Sequence, residues 1–99
     1  MTHYREIADL YLKENNPAED RRLRREGVRE QLLLELADEA EEKELRYSKQ
    51  MEKRLPENLP YLERVGRSNM FRMTARELAI EEMLDVLRPP GQAPDATTG

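Results

Sequence analysis

The stretch LERVGRSNMFRMTARELAIEEMLDVL, residues 62–87, decides how this chain is read. Taken at alternating spacings of four and three, it presents Leu62, Gly66, Asn69, Met73, Arg76, Ile80, Met83 and Leu87 along one side of a helix, the pattern of a heptad seam. Leu62, Met73, Ile80, Met83 and Leu87 are apolar and suit such a seam. Gly66, Asn69 and Arg76 do not, because a plain hydrophobic seam has no use for a missing side chain, an amide or a guanidinium.

Upstream, a second heptad runs through Leu33, Ala37, Ala40, Glu44, Tyr47 and Met51, with Leu32 and Leu36 widening its apolar face. Between the two, Leu55 to Pro60 holds two prolines and has the length that joins antiparallel helices. The expected core is therefore a long antiparallel hairpin of Leu32–Arg54 and Pro60–Leu87. A register that sets Met51 against Leu62 places Leu33 opposite Ile80, Ala40 opposite Met73, and Glu44 opposite Asn69 with Arg72 in reach. On that register Gly66 lets two backbones approach closely, and Asn69 and Glu44 hydrogen-bond across the seam. A buried polar layer of this kind fixes register and partner number. The competing reading makes it a binding site for a ligand or partner.

Nearer the amino terminus, Tyr4, Ile7, Ala8, Tyr11 and Leu12 form a one-sided stripe over two turns, with Thr2 as a candidate cap. Asn15, Asn16 and Pro17 stop that helix, since Pro17 disfavours a helical Asn16. They also start the next one, with Asn16 as N-cap, Pro17 in the first turn, and Glu19 and Asp20 at the positive end of the helix dipole. The helix-favouring run that follows is interrupted only by Gly27, where a kink and a break are both open readings and a break is the one adopted. On the exposed side, Glu39 with Lys43 and Glu42 with Arg46 are spaced for i,i+4 ion pairs. Beyond Arg88, the run Pro89-Pro90-Gly91 ends the helix, and residues 89–99 are expected to be a disordered tail behind a single helical domain, 1–88. The fold class expected is all-α, a bundle of three to four helices.

Composition narrows the function classes. A chain of 99 residues with 37% hydrophobic residues, one Phe and no Trp builds a thin core, and small domains of that kind lean on partners or on a second copy. Self-association is expected. Seventeen basic residues against 21 acidic ones leave a net charge of −4, which offers no general attraction to nucleic acid or anionic lipid. The absence of cysteine excludes disulfides and thiolate chemistry, and no apolar run approaches the ~20 residues of a membrane span. Without the apolar core of a signal peptide near Met1, the expected location is cytoplasmic.

Catalytic candidates are few. His3 is the single histidine, the carboxylates lack the Glu-x-x-His spacing of di-metal bundles, and no Gly-rich phosphate loop is present, so neither an enzyme nor a metal or cofactor is expected. Two charged clusters are candidates for binding. Arg21, Arg22, Arg24, Arg25 and Arg29 could meet phosphates, but acidic residues interleave with them, and solvated helix surface is the preferred reading. Asp38, Glu39, Glu41 and Glu42 form an acidic face that could mimic nucleic acid or dock in a basic groove, against the same solvated alternative.

A set of residues spread over the body carries a family resemblance: Tyr11-Leu12-Lys13-Glu14 with Pro17-Ala18, Gly27 with Leu33 and Glu35, then Ala40, Glu42, Gln50 and Met51, and finally Val65-Gly66-Arg67-x-Asn69-x-x-Arg72-x-x-Ala75-x-Glu77. Over roughly Tyr11 to Met83 the chain resembles the TnpV family of transposon-encoded proteins. The last run is the most specific part. The loop between Met51 and Val65 is shorter than is usual in the family, Arg64 stands where an aromatic is expected, and the Arg21–Arg25 stretch replaces a more apolar one. The resemblance implies a small helical accessory protein of a mobile element, and action by protein–protein contact, without catalysis, is the reading preferred for it here. The resemblance makes Gly66, Arg67, Asn69 and Arg72 a group; on the helical count Arg67 points away from the seam, which makes it the residue expected to meet a partner. An anti-CRISPR-type inhibitor of a nucleic-acid enzyme, working through the acidic face, is the alternative, and nucleic-acid binding by the arginine cluster ranks third.

Overall fold

The computed structural model describes residues 3–91 and contains four α-helices in chain order, with no strand among the described residues. They are α1 (Tyr4–Asn15), α2 (Pro17–Glu26), α3 (Arg29–Glu52) and α4 (Tyr61–Leu87). The expected all-α bundle is what forms. Thr2 and most of the expected tail, residues 92–99, lie outside the described residues.

Local chemistry sets the breaks. Asn16 leaves helical backbone at φ −143° and its side chain accepts from the Glu19 N–H at 3.4 Å, capping α2 with Pro17 in its first turn. At the other end Gly27 takes the left-handed conformation, φ 75°, while the Val28 N–H returns to the Leu23 carbonyl at 3.1 Å. That arrangement is a glycine-based C-cap, so the chain breaks at Gly27 and restarts at Arg29. The α3–α4 connection begins at Lys53, slightly earlier than the prolines indicate, and Arg64 of α4 donates to the carbonyls of Pro56 (2.6 Å) and Glu57 (3.2 Å).

The α3–α4 hairpin is the largest helix pair, and α1 packs on both of its members. Tyr4, Ala8 and Leu12 of α1 are buried with Leu33, Leu36, Ala37 and Ala40 of α3 and Ala79, Met83 and Leu87 of α4. The alanines at 8, 37, 40 and 79 let these helices approach where larger side chains would hold them apart. Leu23 of α2 closes the same core.

The α3 face agrees with its heptad. Leu33, Leu36, Ala37, Ala40 and Ser48 are buried, and Leu32, Glu44, Tyr47 and Met51 are half-buried. The α4 face needs correction. No residue of α4 before Ala75 is buried, and Leu62 and Met73, two members of the expected seam, are 81% and 65% exposed. Gly66 and Asn69 are exposed as well. In this half the side turned inward carries Arg64, Ser68 and Phe71, all half-buried. In the other half the heptad members Arg76, Ile80, Met83 and Leu87 do turn inward, but what they meet includes α1. The register fails for the same reason. Lys43 and Tyr47 of α3 reach Glu82, far beyond the Gly66–Met70 region expected opposite them.

The heptad on α4 is thus a second apolar face, distinct from the face that α3 covers. Arg76 stacks over the Tyr4 ring at 5.1 Å from its centroid, and the Asn16 amide donates to the Leu87 carbonyl at 3.0 Å. These two contacts show α1 lying along α4 in the same sense from Arg76 to Leu87. The part of the heptad that precedes Arg76 extends past the start of α1.

Candidate functional site

The residues singled out as a seam do not assemble as expected. Glu44 was to face Asn69; its carboxylate instead accepts a short hydrogen bond from the Tyr4 hydroxyl, 40 positions away. Arg76 covers the other side of the same ring, so α1, α3 and α4 meet on Tyr4, which is 1% exposed. Burial first, and then the bond to Glu44, push the Tyr4 hydroxyl well above the ordinary phenol range. This is a neutral, fixed donor with a structural role. Of the six seam candidates, Glu44 and Arg76 come together here. Gly66, Arg67, Asn69 and Arg72 stay on the exposed half of α4.

Gly66 does not serve close approach. A Cβ added there would meet nothing within 4 Å. Arg72 alone of this group reaches the hairpin, where it lines a cleft of about 260 Å³ with Glu41, Glu44, Leu45 and Ser48. That cleft lies beside Glu44, which holds Tyr4 at the first turn of α1.

The arginine cluster is dismantled by ion pairing. Arg29 is only 12% exposed and bridges Asp9 of α1 and Asp20 of α2, each at 2.5 Å. Arg22 bonds Glu19 and Glu26 within its own helix, and Arg24 bonds Asp20 at 3.1 Å. Within the cluster only Arg21 and Arg25 are exposed and in no ion pair with a described residue. The Arg29 bridge has a second consequence. The Asp9 carboxyl is held below the usual range chiefly by the Arg29 hydrogen bond, against the opposing effect of burial. At Asp20 burial raises the carboxyl, but the bonds from Arg29 and Arg24 outweigh it and the net shift is downward. Neither Asp9 nor this bridge was legible as a unit, because its members come from three helices.

Asp38, Glu39, Glu41 and Glu42 are all exposed on α3. Glu39 lies 3.7 Å from Lys43, whose shorter contact is to Glu82 at 3.1 Å. The second expected pair does not form: Arg46 sits over the Tyr47 ring at 5.7 Å instead of on Glu42. The face is open to solvent along its length.

A cleft of about 620 Å³ opens between α2, α3 and the end of α4, lined by Asn16, Glu19, Arg22, Leu32 and Val86 among others. Its polar groups are already engaged, Arg22 with Glu19 and Asn16 with Leu87 and the α2 backbone. Nothing convergent is left to orient a small ligand. Among the described residues no three His, Asp or Glu side chains gather as a metal would need, and no helix is long and apolar enough to cross a membrane.

What stands out geometrically is the exposed half of α4. Tyr61, Leu62, Met70 and Met73 are each 65% exposed or more, and Val65 is 38% exposed, with Gly66, Arg67, Asn69 and Arg72 between them. Scattered surface apolar residues are ordinary, whereas here five lie within 13 residues of one helix. No protein-family model, curated protein or solved structure matches the chain.

Proposed function

We propose that this chain is a non-enzymatic accessory protein of a transposon or other mobile element, cytoplasmic and self-associating, which works by protein–protein contact through the amino-terminal half of α4. One observation carries the reading. The most specific part of the TnpV resemblance, Val65-Gly66-Arg67-x-Asn69-x-x-Arg72-x-x-Ala75-x-Glu77, has all its members but the buried Ala75 at exposed positions of α4. Residues that pack no core are free to be chosen for a partner. Arg67 supplies a charged contact on the side of α4 away from the apolar stripe, and guanidinium groups are enriched among the residues that anchor interfaces.

The test is a comparison of baits. Wild-type chain and Arg67→Glu are used to capture proteins from a native host. Arg67 is exposed, so the variant keeps its helical spectrum and melting temperature; it is expected to lose a specific protein that the wild type retains. Identical capture by both would remove α4 as the contact.

A second reading rests on the acidic face. Asp38, Glu41 and Glu42 are exposed and enter no ion pair with a described residue, so their charge is available to a basic groove such as that of a nucleic-acid enzyme or defence nuclease. Reversal of all three to Lys abolishes inhibition of such an enzyme under this reading and leaves partner capture through Arg67 untouched under the first.

A further inference from the structure

The uncovered half of the α4 heptad has a definite length, direction and neighbour, and together they specify its occupant. We infer that the face carrying Leu62, Val65, Gly66, Asn69 and Met73 is the interface between two copies of this chain, paired through antiparallel α4 helices. The inference deepens the self-association proposed above.

The first argument is continuity. From Arg76 to Leu87 the heptad already seats a helix, α1, and the same spacing of four and three continues without a break back to Leu62. A face built to receive a helix in one half is built to receive one in the other. The second is direction. A second α4 lying parallel would run past Met73 into the space that α1 takes from Tyr4 onward. In the antiparallel direction the second α4 leaves the empty half at Leu62 and carries its own α1 away from this one. The two empty stretches, each about 18 Å long at the helical rise, then cover one another end to end.

The third argument is residue matching. An antiparallel pair related by a two-fold axis sets Leu62 against Met73 of the second copy and Gly66 against Asn69 of the second copy, and the axis repeats both contacts. The missing side chain of Gly66 makes room for the opposing amide, which explains a glycine that serves no close approach within its own chain. At the flanks Arg72 lies beside Val65 of the second copy, and Glu63 beside Met70. No like charges meet. A symmetric pairing of this kind closes on itself and gives a dimer in place of a filament.

The experiment uses the full chain, which has no cysteine and therefore no background in thiol cross-linking. Sedimentation is measured over a range of concentrations for wild type and for Met73→Glu. Because Met73 is exposed in the single chain, the variant keeps its helical spectrum. The wild type is expected to form a dimer as concentration rises, and Met73→Glu, which buries two carboxylates per dimer, to raise the dissociation constant by roughly a hundredfold or more. Orientation is read by oxidising an equimolar mixture of Leu62→Cys and Met73→Cys chains. The mixed disulfide is expected to predominate. A wild-type chain that stays monomeric at every concentration overturns the inference, as does a dimer that Met73→Glu leaves intact or a preference for Leu62→Cys chains joining each other. A monomeric chain that still captures its partner through Arg67 separates failure of the pairing from failure of the proposed contact.

Discussion

Arg29 is the side chain on which most of the loop-side architecture converges. Its guanidinium joins the first helix to the second through Asp9 and Asp20 while itself opening the third. Removing one member of such a largely buried group leaves the others uncompensated. Arg29→Ala is expected to lower unfolding free energy by about 2–3 kcal/mol, less than a fully buried pair because Asp9 is partly solvated. Arg21→Ala, by contrast, stays within about 0.5 kcal/mol. Urea unfolding of the two variants measures the contrast. The sign of the acid dependence follows from the same group. Asp9 and Asp20 have folded-state values below their unfolded ones, so the stabilisation they contribute is complete above the ordinary carboxylate value, near about pH 4, and is lost as pH falls through the depressed values. Stability is expected to drop steeply below about pH 4 in wild type and to drop less in Arg29→Ala, where the cation that depresses both groups is gone. Equal acid sensitivity of the two proteins would show that these carboxylates do not carry it.

Among the elements, the two glycines sort oppositely. Gly27 ends α2 at φ 75°, a conformation that costs an L-residue about 1–2 kcal/mol, so Gly27→Ala destabilises by roughly that amount. Gly66 lies inside α4 with open space around its missing Cβ. In dilute solution, where chains are separate, Gly66→Ala is expected to stabilise by up to about 1 kcal/mol through helix propensity alone. Thermal melts of both variants check the pair, and a Gly66→Ala chain that melts lower than wild type would contradict the exposed geometry. The α4 helix as a whole shows how much of an element can be read before its partners are known. Its amphipathic period was visible from Leu62 to Leu87; the division of that heptad face into a half covered by α1 and a half left exposed was not. Periodicity states which residues share a face, and carries no label for the helix that will meet it.

For the whole molecule, a radius of gyration of 16.8 Å exceeds the roughly 13 Å of a compact 100-residue domain. An uneven stability along the chain accompanies that shape. Amides of residues 62–73 are expected to exchange with solvent faster than those of residues 75–87 when the chain is dilute, because only the latter lie over the buried core. On concentration the first group should gain protection while the second changes little, if two chains pair through α4. Unchanged exchange in residues 62–73 at concentrations where sedimentation shows a dimer would place the interface elsewhere.

By itself, the sequence determined the type of the elements and, to within one helix, their number: the Asn16-Pro17 junction, the glycine at 27, the proline-flanked connection before Tyr61 and the heptads on α3 and α4 are local signals, written within a few residues or a few turns. It also determined that Asn69 and Gly66 were out of place in an ordinary core. Only the tertiary structure decided who covers whom. Tyr4 reaches Glu44 across 40 positions, Asn16 reaches Leu87 across 71, and Arg29 gathers carboxylates from two other helices. Such contacts depend on crossing geometry and on where small residues such as Ala8, Ala37, Ala40 and Ala79 let helices close, and that geometry is a property of all the helices packed together, with no counterpart in the local pattern of any one of them. The face read first on residues 62–87 as the seam to α3 is half covered by α1 and half exposed.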